Sequence, residues 1–335
     1  SIAMRVRFDG VVPRPNQMYF RGPVLTWFDG QTWSARTLPF RAQLSMEAGP
    51  AIQARGSALS YQVTLEPTRL RSLPLLDGTL VARPTPPATQ PDMRRWGLDW
   101  ETGRPVGERI QVSAQAWLDA RDTTVEGLTR QTPYLQLPAG FNPRTLAWAR
   151  TQRALPSLAQ ADARTVSQAL LRHIRTEKFA YTLAPEDDAP GPDGLPERHL
   201  IDRFWLDRRT GFCEHFATAY VVVMRAMGVP ARVVTGFKGA ELNTVDGQYV
   251  VRNSDAHAWA EFWQDGEGWV RVDPTAAVAP DRIERSGGPR LGQGGLAGVL
   301  GEGQARWWRT WQAYIDAGNH RWNVWVLQYA REQQL

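Results

Sequence analysis

The stretch Arg208–Tyr220, RRTGFCEHFATAY, holds the only cysteine of the 335-residue chain, Cys213, with His215 two positions further on. From Cys213 onward, Phe216, Ala217, Tyr220, Met224 and Met227 recur at the spacing of one helix face. Gly228 and then Val229-Pro230 supply a stop signal. Val221–Val223 alone would suggest a strand, so the helix rests on the periodicity and the stop. Apolar residues nearly all round predict a central, buried helix. A lone cysteine is ordinarily a small inert hydrophobe. At a helix N-terminus it faces unsatisfied N–H groups and the positive end of the dipole, which favour the thiolate. Arg208 and Arg209 add positive field and Gly211 a tight approach, so Cys213 is the candidate nucleophile.

His215 is not the expected base. Residues i and i+2 of a helix point about 200° apart, which gives His215 a structural role. His257, in SDAHAWAEFW, is the better candidate. Strand parity puts His257, Trp259, Glu261 and Trp263 on one face. Asp265–Gly268, DGEG, reads as a hairpin with Trp263 opposite Trp269. That register sets Asp273 opposite Trp259, diagonal to His257 and within side-chain reach. An aspartate there would fix the imidazole tautomer and stabilise the imidazolium. Whether this hairpin reaches Cys213 is a matter for the fold.

Further out, strands are expected at Ala231–Phe237, Gln248–Arg252, His257–Gln264 and Trp269–Asp273, making residues 141–280 an α+β core. Asn142-Pro143 offers a helix N-cap, and a stronger helix begins near Asp162, with Val166, Ala169, Leu170, His173 and Ile174 on its apolar stripe. His173 reads as structural. Residues 1–140 read as a β-rich, sandwich-like domain, with alternation in Met4–Phe8, Val24–Phe28, Tyr61–Leu65 and Arg109–Trp117. Phe28–Trp33, FDGQTW, is a hairpin signal, and the prolines of Pro84–Pro91 indicate loop. Pro185–Glu197 is a polar loop without EF-hand spacing. Residues 281–303 form a Gly-rich linker, and 304–335 a Trp-rich helical tail that suits either packing on the body or a membrane-proximal position.

Composition narrows the function classes. Hydrophobic residues at 42% and charged ones at 22% suit a globular chain, and no apolar run is long enough to span a bilayer. No signal peptide is visible, so the sequence reads as a mature or excised piece. The 39 basic residues, only two of them lysines (Lys178 and Lys238), are interspersed with acids, which does not describe a nucleic-acid surface. Codon bias accounts for the scarcity of lysine; avoidance of reactive surface amines is the sharper alternative. No Cys/His cluster has metal-ligand spacing, and no metal or cofactor is expected.

The blocks GFCEHFATAYVVVMRAMGVPARVVTGF, SDAHAWAEFW and GWVRVDPTAA together resemble the transglutaminase-like superfamily, nearest to its TgpA-type bacterial proteins. They cover roughly Phe204 to Ala277. The resemblance implies a papain-like core, with the cysteine on a helix packed against an antiparallel sheet carrying the histidine and aspartate. It carries the Cys-His-Asp triad onto Cys213, His257 and Asp273, with no departure at those positions. It further implies the periplasmic part of an inner-membrane protein, anchored through segments absent from this chain. The implied reaction is transfer of a glutamine acyl group through a Cys213 thioester to an amine on a protein or peptide. A cysteine peptidase or amidase, and a binding module without turnover, are the alternatives. The Cys213 backbone N–H is one expected oxyanion donor, with Trp205 or Tyr181 as candidates for a second. Trp259 either walls the cleft or packs in the core.

Overall fold

The computed structural model describes residues 2–35, 51–85, 92–123, 133–182 and 198–280. Most of the Pro84–Pro91 and Pro185–Glu197 loops lies outside the described residues, as do the linker and the Trp-rich tail.

Two antiparallel sheets organise the chain. The first contains β1 (Ile2–Asp9), β3 (Leu59–Leu65), β5 (Thr79–Pro84), β6 (Ile110–Ala116), β8 (Glu241–Leu242) and β9 (Tyr249–Arg252), in the order β8-β9-β1-β3-β6-β5. The second contains β2 (Tyr19–Leu25), β4 (Leu75–Leu76), β7 (Ala231–Lys238), β10 (Ala256–Gln264) and β11 (Gly268–Val272), in the order β11-β10-β7-β2-β4. Strict alternation in β3 and β6 buries every second residue, as a half-buried strand requires. Met4, Val6, Tyr61, Val63, Val112 and Val251 of the first sheet share one core with Phe20, Leu75 and Leu76 of the second.

The change of pattern near residue 140 is a feature of the sequence that the sheets do not respect. β1 pairs with β9, and β2 pairs with β7, so strands from both sides of residue 140 lie in each sheet. The described residues, all within 1–286, accordingly form one compact unit. The physical reason is edge satisfaction: β1 and β2 present backbone donors and acceptors that the later strands complete.

Among the described residues the three longer helices are α1 (Pro143–Arg153), α2 (Ala163–Thr176) and α3 (Cys213–Ala226). Asp162 caps α2 by accepting from the Thr165 N–H at 2.9 Å. Asn142 precedes α1 as expected but does not cap it with its side chain. Its Oδ1 instead accepts from the Ile201 N–H at 3.1 Å, while Asp202 takes the α1 N–H groups of Arg144 and Thr145. In α3, Phe216, Ala217 and Ala219–Met224 are all buried. Each large apolar side chain so enclosed contributes about 1.5–3 kcal/mol. The helix stops at Gly228, whose φ of +80° admits the turn that lets Val229 N–H bond the Met224 carbonyl. Arg225, buried beside that end, donates to the carbonyls of Ala231, Gln136 and Thr26. It thereby ties α3 to both the second sheet and the N-terminal segment.

Candidate active site

Cys213 is the first residue of α3 and is partly exposed. The approach to it is built from short-range constraints. His215 Nδ1 accepts the Phe212 N–H at 3.3 Å, satisfying a donor that the helix itself leaves open. Its ring lies so close to Gly211 that a Cβ there would meet it at 2.8 Å, so only glycine fits without displacement. His215 is thus a helix-start scaffold, the role expected from its position.

The hairpin has the anticipated register. Trp263 faces Trp269 and Ala260 faces Val272, so Asp273 follows directly beyond the last ladder pair. His257 Nε2 lies 2.7 Å from Asp273 Oδ2. Since the carboxylate is an acceptor, Nε2 carries the proton and Nδ1 is the nitrogen left for another partner. The Cys213 side chain also acts on His257, through its charge and as a hydrogen-bond partner of the imidazole, which brings the three residues into one constellation.

The electrostatics follow from near-complete burial of the pair, with only 10% of the His257 side chain exposed and 6% of Asp273. Burial alone pushes the imidazole pKa down. The Asp273 charge, the Cys213 charge and the hydrogen bonds of both outweigh it and push His257 up to about 10. Burial likewise pushes Asp273 up, but the His257 charge and bonds from His257, Tyr19 and the Thr275 N–H hold it below the ordinary carboxylate range. Because the histidine's folded pKa is raised, its stabilisation is complete below about 6.5 and disappears as pH rises through about 10. The depressed Asp273 contributes stability above its ordinary 3.8, lost as pH falls through its folded value.

Asp273 has a third neighbour that sequence reasoning missed. Tyr19, on β2, donates its hydroxyl to Asp273 Oδ2 at 2.7 Å. Nothing in YFRGPVL distinguishes this tyrosine from an ordinary strand residue. It is aimed by a register shift between Val234 and Gly236, where β2 and β7 slip by one residue. A Cβ on Gly236 would lie 1.9 Å from the Phe20 carbonyl oxygen, so the close approach needs glycine. The slip puts Tyr19 in one cluster with Val24, Val234 and Trp259, although Tyr19 and Val24 are an odd number of residues apart.

The remaining candidates separate. Tyr181 pairs with Gly211 in a short parallel bridge, alongside the chain leading into Cys213, and is partly exposed. Trp205 is fully buried in an aromatic cluster with Trp148, His173 and Phe179. Its indole Nε1–H is buried and has no hydrogen-bond partner in the structure. Trp259 is also fully buried. It stacks at 6.3 Å on His257 and edge-on at 5.0 Å against Tyr19, so it backs the imidazole instead of walling an open cleft. Among the described residues no group of His, Cys, Asp and Glu could hold a metal ion. Nor is any described helix long and apolar enough to cross a membrane.

Comparison with known proteins places this geometry. Residues 151–274 match the family model of the transglutaminase-like superfamily, and residues 1–121 that of the TgpA N-terminal domain. The chain is 36% identical over its full length to a protein-glutamine gamma-glutamyltransferase of Pseudomonas aeruginosa, of which it spans 48%, about half the length of that relative. Uncharacterized protein YebA of Bacillus subtilis is 35% identical over 83 residues, 24% of this chain and 11% of that protein. The crystal structure of the periplasmic domain of TgpA from Pseudomonas aeruginosa superposes with a TM-score of 0.71 at 36% identity, covering 85% of this chain and 93% of that one. The chain belongs to the TgpA family of the transglutaminase-like superfamily.

Proposed function

We propose that this chain is the catalytic domain of a protein-glutamine gamma-glutamyltransferase, working through Cys213, His257 and Asp273. The observation that carries the reading is the 2.7 Å His257–Asp273 bond, with the Cys213 side chain acting on the same imidazole. The Cys213 thiolate attacks the carbonyl carbon of a glutamine carboxamide. The oxyanion that forms meets the Cys213 backbone N–H, one of the donors a helix start leaves unbonded. His257 delivers its proton to the nitrogen as the C–N bond breaks, and ammonia departs from a thioester. A primary amine then attacks the thioester, His257 takes its proton, and the thiolate leaves with an isopeptide formed. Asp273 keeps Nε2 protonated throughout, so Nδ1 is the nitrogen that exchanges the proton. The likeness to a periplasmic domain supports a periplasmic setting.

The test is incorporation of a labelled primary amine into a glutamine-containing peptide, with Cys213→Ala alongside. Incorporation lost in the variant is the expected result. Ammonia or peptide release without incorporation would assign the domain to the hydrolases, and no reaction with any amide would leave it a binding module.

A further inference from the structure

We propose that Tyr19 is a positioning residue for this triad, reaching it from the N-terminal segment to fix the Asp273 carboxylate. The proposal rests on the acyl-transfer reading above and names a part that lies outside the superfamily-matched segment 151–274. Two donors converge on one oxygen: His257 Nε2 and the Tyr19 hydroxyl each lie 2.7 Å from Asp273 Oδ2. The other oxygen accepts the Thr275 N–H at 3.2 Å. With both oxygens tied, rotation of the carboxylate about its own bond is blocked, and Oδ2 stays where the imidazole needs it.

The tyrosine is itself held on every side. Its carbonyl accepts the Asp77 N–H at 2.8 Å, and its ring meets Trp259 edge-on. The Arg271 guanidinium lies 4.3 Å from the ring centroid, and the Lys238 ammonium 5.1 Å. Lys238 Nζ in turn donates to the Pro15 carbonyl at 3.0 Å. The charged or titratable groups around the pair are therefore His257 on β10, Lys238 on β7, Arg271 on β11, Asp77 after β4 and Cys213 on α3. Burial, then the Asp273 charge, pushes the Tyr19 hydroxyl well above its ordinary pKa of 10.0, so it remains a donor across the working range. A phenylalanine would keep the ring contacts and lose only the hydroxyl, so the packing and positioning roles can be told apart.

The experiment measures kcat and KM for amine incorporation against pH in the wild type, Cys213→Ala and Tyr19→Phe. Tyr19→Phe is expected to lower kcat about ten-fold, the scale of one hydrogen bond to a charged group, with KM for the glutamine peptide unchanged. Its acid limb should move to higher pH, because Asp273 has lost a donor that keeps it ionised. A fluorinated tyrosine at position 19, a more acidic and stronger donor, should move that limb to lower pH. It also carries the test if Tyr19→Phe does not fold. An inactive Cys213→Ala beside a Tyr19→Phe with wild-type kcat and limb would overturn the Tyr19 role alone. A lowered kcat with an unmoved limb would reduce Tyr19 to packing and overturn it equally. Incorporation surviving in Cys213→Ala would overturn the acyl-transfer reading, and Tyr19's part with it.

Discussion

Replacing Asp273 by Asn removes one negative charge while keeping the size of the side chain, and its consequences follow from the burial of the pair. In the wild type the His257 pKa rises from 6.5 to about 10 against the opposing effect of burial. At about 1.4 kcal/mol per pH unit, that rise corresponds to about 5 kcal/mol favouring the imidazolium. Asp273 is the first of the groups that raise it, followed by Cys213. With the charge gone, burial acts against Cys213 alone, and His257 should be neutral at pH 8. The Asn amide also donates where the carboxylate accepted, which drives the imidazole proton from Nε2 to Nδ1. That leaves no base facing Cys213. The expected loss in kcat is roughly 10²–10⁴-fold, the upper end being the cost of the same change in serine-protease triads. The assays are amine-incorporation kinetics and NMR titration of the His257 ring. The wild type should also lose stability between pH 6.5 and 10, a limb that Asp273→Asn should lack. Activity within ten-fold of wild type, or a His257 still charged at pH 8 in the variant, would refute the reasoning.

Three further outcomes are expected. His257→Ala should abolish incorporation, whereas His215→Ala should keep most of it and lower stability by about 1 kcal/mol, read by thermal unfolding, because the Phe212 N–H bond and ring contacts with Phe204 and Phe212 are lost at the helix start. Glu261 is buried between Arg21 and Arg232, with Arg232 Nε at 2.7 Å from its Oε2, and those charges overcome burial to hold its pKa down to about 2. Glu261→Gln should therefore cost about 3–5 kcal/mol in denaturant titration, since the Arg232 guanidinium stays enclosed without the carboxylate it pairs with, while Arg21 keeps Asp99 and Asp77. Gly236→Ala should destabilise by about 1–3 kcal/mol and reduce kcat, because the added Cβ forces β2 away from β7 and takes Tyr19 with it. Unchanged kcat in that folded variant would separate the register slip from the site.

The sequence by itself determined the parts whose geometry is local. The α3 periodicity, its glycine stop and the mismatch of His215 with Cys213 all arise within about four turns of one helix. The pairing of His257 with Asp273 was legible because a short hairpin fixes the register of both strands, leaving no freedom over sixteen residues. The tertiary structure alone decided what depends on distant chain meeting. Tyr19 and Asp273 are 254 positions apart, and their contact requires β2 to pair with β7 through a one-residue slip. That slip reverses side-chain parity within β2, so alternation read along the strand would send Tyr19 to the wrong face. The same long-range pairing runs both sheets across the change of pattern near residue 140. It also decides which tryptophans are enclosed, since burial of Trp205 and Trp259 depends on neighbours supplied by other elements. Local periodicity placed Cys213, His257 and Asp273; only the packing of strands far apart in the chain brought Tyr19 against Asp273.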